Sequence, residues 1–545
     1  MKMRMLTSNN ASENNHMSRR SFLATAGGTF LAGHVLRSTA DSNLAPIDIG
    51  TQKQLFIDEK FIQSKRNVTL SLTPPDLQRE NLLVADRPWE SGRVCSTGSV
   101  VQHQGKVILW YDAREWDPER STTKGMRYCY AESEDGIHFQ KPNARLIDWN
   151  GSKENNLVLI GGQGAMFVDP HDVPAKRFKA LMDMSPQLEP LKWSQLDGVQ
   201  SHWVCLFTSP DGIRWTRAPK VVFPMWLGAL QSVIWDNRLQ KWVLYLRAHR
   251  PYRCFGRTTV DLGKLEEPYP FSPQAGRSYE KLGENGLKDE LPIVMDRDNL
   301  DPPGGQSYWM NAWKYPEAED VYFAFVPMWF EGRGGTGGSD RIEAQLAISR
   351  DGIQWSRPWR RAVIPPGAPS MSASGQIWPL PEPIIRNEEV WLYYLSEPDT
   401  HLGTLQPPNY LSPSEADLMK DPKRVFETCV VARAIWRLDR FVAADAGPEG
   451  GELLTPPILF SGGELRINAN AGASGQLRVA VERPSGPAIP GYTLQDAIPI
   501  QGNGLALTAR WKGHHSVRLV AGQPVRLRFA LTNCQLYSFQ TVPGT

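Results

Sequence analysis

Three seven-residue stretches of this chain nearly coincide: 133–139 reads SEDGIHF, 209–215 reads SPDGIRW and 349–355 reads SRDGIQW. Each is Ser, any residue, Asp-Gly-Ile, any residue, then an aromatic. Each follows a strand-like run: MRYCYAES, HWVCLFTS and IEAQLAIS. In such a place Asp-Gly is turn chemistry, because the Asp side chain bonds its own backbone and Gly supplies a positive φ. One kind of turn recurring after one kind of strand marks an internal repeat, and the repeating unit is built from short strands.

The rest of the chain fits that unit. GKVILWYDA (105–113), KWVLYLRAH (241–249), DVYFAFVPMWF (320–330) and EVWLYYLSE (389–397) are short, aromatic and β-branched. Degenerate copies of the turn lie at 256–265 and 431–441. A strand, a polar turn and a second strand precede each copy, with turns at 102–106, 169–177, 236–241, 316–320 and 386–389. Amphipathic helices are absent from the middle of the chain, where PSEADLMKD (413–421) offers one or two turns at most. Five units of about four strands predict an all-β fold, a five-bladed β-propeller over 50–445. QLFIDEKFI (54–62) is expected as a further strand that closes the ring or packs on the last blade. After 445 the alternating strands and Gly-rich turns predict a β-sandwich over 446–545.

Composition enters where it excludes. The formal net charge of +2 supplies no field for nucleic acid or acidic membranes. The six cysteines form no close CxxC pair, so neither a zinc nor a redox cluster is expected, and no cofactor or metal. Residues 1–40 read as a twin-arginine export signal: SRRSFLATAGGTFLAG (18–33) sets paired arginines before a weakly apolar run too short to span a bilayer. STA at 38–40 offers cleavage after Ala40, and Met17 is an alternative start. The expected location is periplasmic or extracellular, and export of a folded chain predicts few or no structural disulfides.

Strand counting sorts the polar residues by face. The Asp-Gly turns join strands three and four, so they share one end of the ring with the turns between strands one and two. Asp135, Asp211 and Asp351, and the metal-like VDPHD cluster (168–172), therefore read as turn residues. The opposite end collects Glu90, Asp112, Asp183, Arg247, His249, Glu331 and Glu382, interleaved with Trp329 and Trp378. Carboxylates among indoles suit carbohydrate, whose CH faces stack on aromatics while its hydroxyls bond charged groups. Glycosidic cleavage needs two carboxyls, one protonated as acid and one ionised. Crowding like charges in a cleft keeps one of them neutral. Glu90, Glu382 and Asp112 are the catalytic candidates. Asp183, Arg247, His249 and Glu331 are expected to bind substrate, and Trp329 and Trp378 to stack on it.

With PWESGRVCSTGSVVQHQGKVILWYDA (88–113) leading into the first blade and DGIxW turns repeating, the chain resembles the five-bladed glycoside hydrolases of families 32, 43, 62, 68 and 130. A propeller followed by a sandwich is most similar to family 32. The resemblance implies an exported hydrolase of a poly- or oligosaccharide. The Asn-Asp-Pro-Asn-Gly and Glu-Cys motifs of family 32 are absent, so it assigns no catalytic residue. A carbohydrate-binding propeller without catalysis is the main alternative. A sialidase, with six blades and an arginine triad, fits five units and the single Arg247, Arg250, Arg253 cluster less well.

Overall fold

The computed structural model describes residues 45–78, 80–91, 93–117, 122–184, 203–223, 232–249, 252–269, 291–330, 341–367, 375–397 and 429–544. The candidate signal and the possible helix at 413–421 lie outside them. Nearly all regular structure is strand. Three four-stranded antiparallel sheets follow one another: Arg93–His103, Lys106–Asp117, Thr122–Ser133 and Leu157–Ile160; then Gly164–Val168, Phe178–Met184, Trp203–Ser209 and Thr216–Phe223; then Ser232–Asp236, Lys241–His249, Arg253–Asp261 and Ile293–Met295. Two further units share one sheet, joined by a parallel bridge from Ile342 to Gln376. In the fourth, strand one is split into Gly305–Ser307 and Asn311–Lys314, followed by Tyr322–Phe330, Ile342–Ser349 and Trp355–Ser356. In the fifth it is split into Gln376–Pro379 and Ile384–Arg386, followed by Glu389–Glu397 and Val430–Arg437.

Five apolar clusters lie between successive units and return to the start, so the sheets are the blades of a closed propeller. Trp110 and Phe178 share a cluster between blades one and two. Leu181 and Leu244 share one between two and three, and Tyr245 and Tyr322 one between three and four. Phe325 and Leu392 meet between four and five. Tyr393 and Tyr111 then join five to one. Innermost strands are tied by side chains as well. Met166 N–H donates to Ser99 Oγ at 3.0 Å and Ala312 N–H to Ser232 Oγ at 2.7 Å. The Asn311 side-chain amide donates to the Pro379 carbonyl.

The three Asp-Gly turns do more than reverse the chain. Trp110 Nε1 donates to the Gly212 carbonyl at 2.7 Å, Tyr245 Oη to Gly352 at 2.8 Å and Tyr393 Oη to Gly136 at 2.8 Å. Each donor sits on strand two of the preceding blade. The glycines have φ of 74°, 74° and 71° for 136, 212 and 352. A Cβ on Gly136 would stand 2.6 Å from the Tyr393 hydroxyl oxygen. Before the degenerate turns of blades three and five, the side chains at that level are Leu181 and Phe325, which donate nothing. Motif and latch occur together.

A nine-stranded sheet forms the second part of the fold, with one apolar core that includes Phe56, Phe61, Ile467, Val479, Trp511, Phe529 and Phe539. The long strand Glu464–Glu482 pairs with Cys534–Val542 in its first half and with Arg526–Thr532 in its second. The change of partner folds this sheet over its core as a sandwich.

The expected packing of 54–62 on the last blade holds for Leu55 and Ile57, which join the cluster between blades four and five, but its pairing is corrected. Only Gln54–Leu55 is strand, and it pairs with Phe539 and Ser538 of the sandwich. Glu59–Phe61 is a 3-10 turn whose Phe61 enters the sandwich core. The fourth strand of blade five is supplied instead by Asp76–Leu77 and Leu83–Val84, paired with Val430–Arg437. Both parts of the fold thus use both ends of the described chain, and residues 45–545 form one compact unit.

Candidate functional site

Asp112, Asp183 and Arg247 occupy equivalent positions on strand two of blades one to three, two residues beyond Trp110, Leu181 and Tyr245, and all three are buried. Asp112 is held from both sides: its Oδ1 accepts from Thr97 N–H at 2.9 Å and its Oδ2 from Arg114 Nε at 3.1 Å. The Tyr128 hydroxyl is 2.9 Å from Thr97 Oγ1 and within electrostatic reach of both carboxylates. Burial first, then the charges of Asp112 and Asp183, hold that hydroxyl above the ordinary phenol range. The structure therefore brings Asp112 and Asp183 to one place.

Glu90 is elsewhere and fully engaged. It is 0% exposed, in a short 3-10 turn beside strand two of blade one. Its carboxylate accepts from the Asp86 and Arg87 amides at 2.9 and 3.1 Å and from the Tyr111 hydroxyl at 2.7 Å. Lys141 Nζ completes the set with bonds of 3.0 and 2.8 Å. A carboxylate with its lone pairs filled and a buried ammonium beside it has the environment of a structural ion pair.

Glu382 is the contrasting carboxyl. It lies in the break between Gln376–Pro379 and Ile384–Arg386, where four residues oppose two of strand two. Pro379, Pro381 and Pro383 interrupt the ladder by removing N–H donors. Strand one is innermost, so the bulge stands on the axial side of the blade. Glu382 has φ of 59°, uncommon outside glycine. Its residue surface is part-exposed, yet burial pushes its carboxyl up to about 7. No counter-ion offsets that burial among the described residues.

Blade four has a matching break at 308–310, and it gathers aromatics. The rings of Trp309 and Trp378 are 4.4 Å apart, and those of Tyr308 and Trp378 are 5.1 Å apart. Trp378 is 2% exposed, packed against these rings. Trp329 is 7% exposed, with the Arg253 guanidinium 4.7 Å from its ring. Arg253 and Arg247 also meet Tyr308, at 4.7 and 5.4 Å, and Arg253 donates to Gln306 Oε1 at 2.9 Å. Tyr308 and Gln306 were not among the sequence candidates; the pre-strand run GQSYWM (305–310) was their only signal. The His249 side chain and Glu331 lie outside the described residues.

The turn carboxylates lie where strand counting put them. Asp135, Asp211 and Asp351 each accept from two backbone amides of their own turn, at 2.8–2.9 Å. Asp169 and Asp172 flank the buried Lys179, at 3.7 and 2.6 Å. Five cysteines, Cys129, Cys205, Cys254, Cys429 and Cys534, are buried free thiols.

No family model matches the chain, and no curated protein matches it. Among solved structures it is similar to a protein described as "Glycoside hydrolase", with 13% identity over 66% of this chain and 92% of that one, at a TM-score of 0.39. It is also similar to a glycosyl hydrolase from Bacteroides ovatus, with 14% identity over 74% and 99%, at a TM-score of 0.39. A third likeness is to a structure from the mannoside phosphorylase family that contains glycoside hydrolases targeting β-1,2 mannosidic linkages in Candida mannan. There the identity is 14% over 73% and 96%, and the TM-score 0.36. Overlaps this loose carry no argument about activity.

Proposed function

We propose that the protein is a carbohydrate-active enzyme that hydrolyses glycosidic bonds of a poly- or oligosaccharide, with Glu382 as proton donor. The observation that carries this reading is Glu382 itself: a carboxyl with no counter-ion among the described residues, on left-handed backbone in an axial bulge, with its pKa raised by burial to about 7. Strained backbone and perturbed carboxyls are features of acid–base sites. In the reaction Glu382 gives its proton to the glycosidic oxygen as the bond to the anomeric carbon breaks. A water molecule adds to that carbon, and a second carboxylate takes the water's proton. Asp183, expected from the sequence to bind substrate, is proposed here for that second role. Arg247, Arg253 and Tyr308 form the adjoining polar and aromatic wall. Export through residues 1–40, and a periplasmic or extracellular location, belong to the same proposal and rest on the paired arginines and the apolar run after them.

A second reading has its own support. Glu90 and Asp112, two of the three catalytic candidates, are already bonded, which suits a propeller that binds sugar without cleaving it. A panel of polysaccharides separates the two. Sugar release by the wild type that Glu382→Gln abolishes supports hydrolysis. Retention without release favours the binding propeller, and release by Glu382→Gln at the wild-type rate removes Glu382 from the chemistry.

A further inference from the structure

The seam between blades five and one holds a pair of cations that the site above does not use. Arg433, on Val430–Arg437, is 5% exposed, and its guanidinium lies 4.2 Å from the ring centre of Trp391. Arg386 stands 5.9 Å from the same ring and donates from Nη2 to the Glu134 carbonyl at 2.9 Å. Nε and Nη1 of Arg433 and Nη1 of Arg386 are buried without a hydrogen-bond partner. Both positive charges reach the buried Tyr393 hydroxyl.

Nearby acids are engaged elsewhere. Glu389 accepts from Trp391 Nε1 at 2.7 Å, and Asp135 is bonded to its own turn and to His138 at 2.7 Å. Among the described residues neither arginine has a carboxylate within ion-pair distance. A buried guanidinium without a counter-ion is costly, and stacking on an indole offsets only part of that cost. Guanidinium donors form a planar fork that fits two oxygens of one oxyanion.

We propose that Arg386 and Arg433, stacked about Trp391, form an oxyanion site in the seam between the last blade and the first. The shared chemistry is a compact oxyanion, presented either by the carboxylate of an acidic sugar or by free phosphate. The site lies beside the Asp-Gly turn of blade one, away from the strand-two ends that hold Asp112, Asp183 and Arg247. It does not depend on the hydrolase reading.

The test is thermal unfolding of the full chain with galacturonate, with inorganic phosphate and with sodium chloride at matched ionic strength. The expected result is a rise in melting temperature with one of the two oxyanions, growing with the logarithm of its concentration and absent with chloride. The probe with the larger shift names the source. Arg433→Met, which keeps the apolar stem over Trp391, should abolish the shift; Arg386→Gln, at a more exposed position, should reduce it and serves if the first variant fails to fold. No shift with either oxyanion, or a shift unchanged in the variants, overturns the proposal. Sugar release plays no part in this readout, so its outcome is separate from that of the Glu382 experiment.

Discussion

The hydroxyl of Tyr393, on the last blade, donates to the carbonyl of Gly136, on the first, across 257 positions of sequence at 2.8 Å. Tyr393→Phe removes this ring-closing bond and leaves a buried carbonyl short of a donor, a loss of about 1–3 kcal/mol. Gly136→Ala adds a Cβ in a left-handed turn and against that hydroxyl, so it should cost more than Tyr393→Phe. Because both changes act on one contact, their effects on the melting temperature should be less than additive. Strict additivity would show that the latch is not a unit.

Lys141 and Glu90 form a buried ion pair at 2.8 Å, with side chains 7% and 0% exposed. Lys141→Met strands the carboxylate, and breaking such a pair costs about 3–5 kcal/mol. Adding Glu90→Gln to that variant should restore much of the loss, since the amide still meets Tyr111. Sugar release per folded molecule by the double variant should match the wild type. A specific loss of release with the fold intact would return Glu90 to the catalytic set.

Glu382 carries a sign that can be checked. Its folded pKa of about 7 lies above the unfolded carboxyl value, so the folded state binds the proton more tightly. The stability it contributes is full below the unfolded value of about 4.3 and is lost as pH rises through about 7. Melting temperature should fall over that window in the wild type, and less so in Glu382→Gln. In the hydrolase reading, kcat/KM declines above the same pH as the acid form of the free protein empties.

Trp378 divides a structural from a binding role. Its indole packs on Trp309 and Tyr308 inside the ring, so Trp378→Ala should cost about 3–5 kcal/mol through the cavity it leaves. A milder Trp378→Phe should lower the melting temperature with KM for sugar unchanged. A raised KM at unchanged stability would mean that the indole meets substrate.

Legibility in the sequence followed the range of the interaction. The Asp-Gly turns and their strands are local, and they placed the blades. Their latches were hidden, because Trp110, Tyr245 and Tyr393 look like any strand aromatic until the next blade is beside them. QLFIDEKFI carried the apolar content of a strand but nothing about which sheet it joins. The segment that does complete blade five, DLQRENLLV (76–84), is polar through its middle and gives little strand signal. The ion pair of Glu90 was hidden for the same reason: Lys141 is 51 positions away. The break that holds Glu382 is local, since Pro379, Pro381 and Pro383 mark it in the sequence.

The strands contributed by residues 47–84 find their partners among residues 430–542. An emerging chain must therefore carry its first strands unpaired until synthesis is almost complete. Blade five waits for residues 430–437 and the sandwich for the last hundred residues, and such late, distant pairing is slow. A chain cut short after blade five would leave the strands of 47–66 without their sandwich partners, and it should collect as aggregate rather than as a smaller folded protein.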